Sequence, residues 1–258
     1  MSTYEATIQA FLAGHRTDAE HFLAELVKVP SDNPPGDCAP HAARAAQLLA
    51  GMGFIVEEHV VPADVVTANG MRSCTNLVVR TKFGEGNGPT IALNSHGDVV
   101  PPGDGWTADP YGAEVRDGHM IGRGVAVSKS DFATYALALR ALQAAAANGA
   151  AFDGNIELHF TYDEEVGGAI GPAWLLQQKI ICPDMAISAG FSYGVTTAHN
   201  GCLHLEVEVV GRSGHAAEPE KGIDALEAAS GMLNDLYALR KRYAAVKSKT
   251  YRFADQPR

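Results

Sequence analysis

The feature that most constrains the fold is an alternation of short apolar runs with amphipathic segments over residues 3–189. The apolar runs are typical of buried strands, and the amphipathic segments repeat their apolar residues at helical spacing. The predicted strands cover 54–61, 75–81, 89–100, 155–162 and 184–189, and the predicted helices cover 3–28, 39–53, 128–150 and 171–179. This order predicts an α/β domain with a mostly parallel sheet flanked by helices.

The pattern changes after about residue 195. The segment VTTAHNGCLHLEVEVVGRSG indicates two alternating strands around Gly201, and an amphipathic helix follows over 222–243. Two strands and a helix are typical of the start of a smaller α+β domain. We therefore expect a first domain over 1–194 and part of a second over 195–258.

Composition excludes several classes of partner. The net charge is −10, without a basic stripe, so phosphate backbones are unsuitable ligands and no nucleic-acid partner is expected. No run of about 18 apolar residues is present, so no membrane span is predicted. The four cysteines lack CxxC spacing and are typical of free thiols, which favours a cytoplasmic location.

Two polar clusters follow predicted strands. His96 and Asp98 end one strand, where a carboxylate two residues on can orient an imidazole that binds a metal. A surface loop is the alternative interpretation. Asp163, Glu164 and Glu165 follow another strand and suit a cation ligand beside a general base, or simply an acidic first helical turn. The glycines at 167 and 168 argue against that helical turn.

His215 lies between the second-domain strands and the last helix. It is equally compatible with contact to a substrate and with a solvated loop. A Ser–His–Asp hydrolase is not favoured, because no GxSxG segment stands between a strand and a helix.

The segment SHGDVVPPGDGWTADPYGAEVRDGHMIGRG resembles the metal-loop region of the M20 metallopeptidase family. VPSDNPPGD, TYDEEVGGAIGPAWLL and VEVVGRSGHAAEPEKGIDALEA match its other landmarks in the same order. The family includes acetylornithine deacetylases, succinyl-diaminopimelate desuccinylases and aminoacylases. The resemblance covers residues 20–240 and implies the N-terminal portion of a catalytic domain, followed by a lid that often forms a homodimer.

The resemblance also implies roles for individual residues. His96 and Glu165 would bind a divalent metal (Zn, Mn or Co), and Asp98 would orient His96. Glu164 would be the general base, and His215 would contact substrate, often in the partner subunit.

Two positions depart from the family pattern. Val127, in GRGVAVSKS, occupies the place of an aspartate that bridges two metals, and Gly190 occupies the place of a further carboxylate. Valine cannot bind a metal, so we expect one ion at most. Asp131, four residues after Val127, is a possible substitute ligand.

The chain also ends within the lid and offers no candidate for the family's late histidine ligand. A fragment, a truncated product or a fold completed by a second chain would each explain this. The predicted function is hydrolysis of an amide bond in a small N-acyl amino acid, dipeptide or related molecule. The alternative is a catalytically inactive relative that serves in binding or assembly.

Overall fold

The structure is a computed structural model that describes residues 3–188, 190, 194–196, 201, 205–244 and 246. The chain divides into two compact units, Met1–Phe191 and Ser192–Arg258. The candidate chemistry at His96 and at Glu164–Glu165 lies in the first unit.

Helices of the first unit surround one sheet. They are α1 (Thr3–Gly14), α2 (Arg16–Val27), α3 (Ala39–Gly51), α4 (Ala63–Ala68), α5 (Lys129–Ala147) and α6 (Pro172–Gln177). Over the ranges that the structure describes, no helix has both the length and the apolar character needed to cross a membrane.

The strands form a five-stranded sheet and a separate hairpin. They are β1 (Val56–Val60), β2 (Thr75–Phe83), β3 (Thr90–His96), β4 (Glu114–Arg116), β5 (His119–Ile121), β6 (Gly154–Thr161) and β7 (Met185–Ser188). The sheet order is β1-β2-β6-β3-β7, and β4 pairs with β5. The predicted α/β class is confirmed.

The sheet is mixed. β1 and β6 each run antiparallel to β2, whereas β3 runs parallel to both β6 and β7. The parallel part is therefore limited to the three strands whose carboxyl ends carry polar residues.

Aromatic packing joins α5 to the sheet. Phe132 on α5 is fully buried, and its ring stacks on Phe160 of β6 with centroids 3.8 Å apart. Tyr162 is also fully buried, and its hydroxyl lies 3.1 Å from Nδ1 of His41. Burial of one such aromatic side chain contributes roughly 2–3 kcal/mol. This packing fixes the end of β6, from which the acidic loop departs.

Three local features differ from the sequence expectation. The helix predicted over 3–28 is two helices, because helical structure is interrupted at His15, directly after Gly14. The ring of His15 stacks on Phe11. α4 and the β4–β5 hairpin were not predicted. Both are short, so their periodicity is too weak to stand out from a loop.

The second unit contains α7 (Ala225–Tyr243), close to its predicted bounds, and a 3₁₀ turn over Pro219–Lys221. Asp224 caps α7, since its carboxylate accepts hydrogen bonds from the N–H groups of Leu226 and Glu227. The strand predicted after Gly201 is not formed over residues 205–210. The rest of that strand pair lies outside the described residues.

Candidate metal centre

Strand register brings the two predicted clusters together. In the parallel pair β3–β6, His96 lies opposite Thr161. Both strands end there, at the same edge of the sheet, and the acidic loop begins two residues later at Asp163. The carboxyl ends of parallel strands are the usual location for chemistry in such sheets.

Three side chains converge at this edge. His96, Glu164 and Glu165 each offer a ligand atom within 4.8 Å of the others. Nε2 of His96 lies 3.9 Å from Oε2 of Glu164. Ligands at about 2.0–2.2 Å from a tetrahedral zinc lie roughly 3.3–3.6 Å apart, so a small rotation of the side chains would bring these three atoms to one ion. One imidazole and two carboxylates therefore fit a single divalent cation such as Zn²⁺, Mn²⁺ or Co²⁺.

The ring of His96 is held through its other nitrogen. Nδ1 lies 3.0 Å from the carbonyl oxygen of Asp98 and 3.3 Å from its carboxylate. Both partners are acceptors, so the proton belongs on Nδ1 and the lone pair of Nε2 faces the cluster. An imidazole ligand is usually oriented in this way. Asp98 is fully buried, and its position is consistent with the predicted orienting role.

The acidic loop is held by Asp163. This buried carboxylate accepts a hydrogen bond from the N–H of Ile170 at 2.6 Å. A Cβ atom at Gly171 would lie 2.0 Å from Oδ1 of Asp163, so only glycine fits there. The end of the loop therefore packs against Asp163, its first residue, and Glu164 and Glu165 remain at the carboxyl-end edge of the sheet.

Burial and charge shape the ionisation of the cluster. Burial opposes a proton on His96, but the hydrogen bond and charge of Asp98, with the charge of Glu164, raise the pKa of the ring overall. Burial and the charge of Glu164 raise the pKa of Glu165. The cluster therefore carries an excess of negative charge, which a cation would relieve.

The cluster opens into a cleft of about 680 Å³. Val127 and Gly190, the two positions that depart from the family pattern, line this cleft together with His96, Glu164 and Glu165. Neither offers a ligand atom. Among the residues that the structure describes, no other group of three or more histidines, cysteines or acidic residues is close enough to hold an ion.

Asp131 does not replace the missing carboxylate. Its Oδ2 accepts a hydrogen bond from the backbone N–H of Ser128 at 2.9 Å, at the start of α5. It does not belong to the group of donors around His96. The side chain serves the helix terminus, as the capping pattern of Ser128 and Asp131 predicts.

His215 lies in the second unit, in an exposed loop, where its Nδ1 accepts a hydrogen bond from the N–H of Ala217. Its predicted contact with substrate stays a prediction. His199 and His204, to which the sequence assigns no role, lie outside the described residues.

Comparison with known proteins agrees with this geometry. The model of peptidase family M20/M25/M40 matches residues 92–239, which include the His96 loop, the acidic loop and the His215 loop.

The chain belongs to peptidase family M20/M25/M40. Enzymes of this family are hydrolases that depend on divalent metals. The chain is 32% identical over 229 residues to the succinyl-diaminopimelate desuccinylase of Zymomonas mobilis, covering 85% of this chain and 56% of the relative. It is 34% identical over 158 residues to the desuccinylase of Sulfurimonas denitrificans, covering 58% of this chain and 41% of the relative. The chain spans about half the length of the curated relatives it matches.

Solved structures share the fold at low identity. The dipeptidase Dug1p from Saccharomyces cerevisiae superposes with a TM-score of 0.55 at 18% identity, covering 69% of this chain and 38% of that chain. The M20 family metallo-carboxypeptidase Sso-CP2 from Sulfolobus solfataricus gives a TM-score of 0.52 at 18% identity, covering 66% of this chain and 36% of that chain. These likenesses support the fold of the family.

Sequence reasoning did not single out Asn33. Its Nδ2 lies 2.9 Å from Oδ2 of Asp98, and the side chain is fully buried. The sequence offered two signals, the turn-forming run SDNPPGD and the resemblance of VPSDNPPGD to a landmark of the family, and neither indicates what the loop contacts.

Proposed function

We propose that this chain carries the cation-binding part of an amide hydrolase that uses a single divalent ion. The substrate would be a small N-acyl amino acid, dipeptide or related amide, as the names of its relatives suggest. The observation that carries the proposal is the convergence of His96, Glu164 and Glu165 at one sheet edge, in a cleft where Val127 and Gly190 offer no ligand.

Each side chain has a distinct task in this proposal. His96 and Glu165 would bind the ion, with the ring of His96 oriented by Asp98. A bound divalent ion would supply Lewis acidity to a substrate carbonyl and to a neighbouring water. Glu164 is the most open of the three, with 63% of its side chain exposed, so it can take a proton from that water and later return it to the leaving amine.

The decisive experiment compares the 258-residue chain with Glu164→Gln and Glu165→Gln. Calorimetric titration with Zn²⁺, Mn²⁺ and Co²⁺ should give about one ion per chain. Hydrolysis would be followed on N-acetyl and N-succinyl amino acids, dipeptides and succinyl-diaminopimelate. Glu164→Gln should lower turnover about 10²–10⁴-fold with the ion still bound. Glu165→Gln should weaken ion binding itself.

Glu114→Gln, in the exposed β4–β5 hairpin, is the matched control and should change neither quantity. Hydrolysis that survives Glu164→Gln unchanged would contradict the assigned base.

A second candidate function is a non-catalytic relative that serves in binding or assembly. The loss of two ligand positions in the cleft, at Val127 and Gly190, favours it. Under this alternative no cation binds and none raises the melting temperature, so the titration separates the two. We further propose a cytoplasmic location. We also propose a homodimer formed through the second unit, and size measurement in solution would test this homodimer.

A further inference from the structure

The carboxylate of Asp98 collects four hydrogen-bond contacts. Oδ1 lies 3.3 Å from Nδ1 of His96 and 3.3 Å from the backbone N–H of Glu164. Oδ2 accepts from the backbone N–H of Glu165 at 3.1 Å and from Nδ2 of Asn33 at 2.9 Å. Three of the four donors belong to the residues of the candidate metal centre. Asn33 is the exception and makes the shortest contact.

Asn33 is itself held in place by the loop that carries it. Its backbone N–H donates to the carbonyl of Val99 at 2.8 Å, and the N–H of Val99 donates to the carbonyl of Ser31 at 3.0 Å. The hydroxyl of Ser31 donates to the carbonyl of Gly97 at 2.6 Å. Residues 31–33 thus run beside residues 97–99 and move with them.

The Asn33 side chain has no room to turn away. It is 0% exposed, Sδ of Met71 lies 3.6 Å from its Nδ2, and the space at Gly36 is so tight that a Cβ there would lie 2.9 Å from Oδ1. The amide therefore keeps its Nδ2 group directed at Asp98.

There is a chemical reason for a neutral hydrogen-bond donor, the amide of Asn33, beside the carboxylate of Asp98. An ionised carboxylate has about four acceptor positions, and an unfilled one is costly in a buried site. A lysine or arginine would fill it but would neutralise Asp98 and weaken its pull on the imidazole proton. An amide fills it and leaves the negative charge available to His96.

We infer that Asn33 is a positioning residue for the cation site, acting through Asp98 on His96, Glu164 and Glu165. Without its N–H group, Oδ2 of Asp98 keeps only the contact with Glu165, so the carboxylate can rotate. Rotation would release the ring of His96 and both loop N–H groups together. The inference rests on the proposed function, since it assigns Asn33 to the same site.

The test is calorimetric titration of the cation-free chain with Zn²⁺ and Mn²⁺, using Asn33→Ala and Asn33→Asp. Removing a residue that orients a metal ligand typically costs about 10–100-fold in affinity, and Asn33 acts one contact further out, through Asp98, so Asn33→Ala should bind roughly tenfold more weakly. Asn33→Asp places a second carboxylate against Asp98 and should lose more. Asn33→Ser is smaller than asparagine and adds no charge, so it provides a comparison if either of the other variants is unstable.

The matched control is Asn155→Ala, at the opposite end of β6, where the amide contacts Gly86 and Thr90 at 3.4 Å. It should change affinity less than twofold, whatever it does to the melting temperature. If Asn33→Ala binds within twofold of the unmodified chain, or if Asn155→Ala loses as much affinity, the inference is overturned and the proposed function stands. If the unmodified chain binds no cation, both fail.

Discussion

Nε2 of His96 and Oε2 of Glu164 lie 3.9 Å apart, at the ends of two strands that are adjacent in space and distant in sequence. The parallel register of β3 and β6 produces this approach, because it sets His96 opposite Thr161. A cleft that contains one good donor set and two ligand-free positions leads to predictions about the number of ions, their affinity and the stability of the supporting loops.

Carboxylates placed at positions 127 and 190 should allow a second ion to bind. Val127 and Gly190 line the same cleft as His96, Glu164 and Glu165. We expect Val127→Asp combined with Gly190→Glu to raise the bound Zn²⁺ from about one to about two per chain, because each adds an anionic ligand. Metal analysis after dialysis measures the number. Val115→Asp, on the exposed strand β4 and outside the cleft, is the control, and an unchanged count in the double variant would contradict the prediction.

Asp98→Asn should weaken cation binding about 10–100-fold. Asparagine has a single acceptor oxygen, whereas the carboxylate accepts from the N–H groups of Glu164 and Glu165 with separate oxygens. Titration calorimetry gives the affinity. Asp153→Asn is a suitable control, since Asp153 also accepts from two backbone N–H groups, at Gly86 and Asn87, but at the far edge of the sheet. Equal losses in the two variants would argue against a site-specific role.

Gly171→Ala should destabilise the acidic loop. The added Cβ would lie 2.0 Å from Oδ1 of Asp163, so the loop must shift, at a cost of about 1–3 kcal/mol. Urea denaturation of the cation-free chain measures the loss. Gly51→Ala, at the end of α3, has open space around its Cβ and should be close to neutral. A stable Gly171→Ala chain would show that Asp163 is free to move.

Stability should rise with pH because of Lys129. This residue is fully buried, and Nζ donates to the carbonyls of Val29 and Leu26 at 2.9 and 3.3 Å. Burial lowers the pKa of its ammonium group to about 7, despite the opposing charge of Asp32. An unfolded chain keeps a lysine pKa of about 10.4.

Between these two pKa values the unfolded state binds a proton that the folded state lacks. The free energy of unfolding should therefore increase with pH from about 7 to 10, by up to roughly 1.4 kcal/mol per pH unit, and level off below pH 7. Urea denaturation at several pH values should show this slope reduced in Lys129→Met and unchanged in Lys82→Met, where the lysine is exposed. If the free energy of unfolding rises with pH equally steeply in the unmodified chain and in Lys129→Met, the prediction is wrong.

The spacing of apolar residues predicted the long helices and strands well, but it did not predict short or irregular elements. The strands ending at His96 and Thr161 were visible as apolar runs, and α5 was visible from its helical spacing. α4 and the β4–β5 hairpin were not predicted, because elements this short contain too few residues to show a helical or alternating pattern of apolar residues. The interruption of the helix at His15 was not predicted, because the helical spacing of apolar residues continues on both sides of it.

The sequence alone determined the residue types available for chemistry: the imidazole at 96, the carboxylates at 98, 164 and 165, and the absence of a ligand at 127 and 190. The order of apolar runs also determined the α/β class. Only the tertiary structure decided which of these groups meet. Strand register brings His96 to the acidic loop, and the return of residues 31–33 along residues 97–99 brings Asn33 to Asp98. Contacts of this kind depend on long-range pairing and close packing, so no local pattern encodes them.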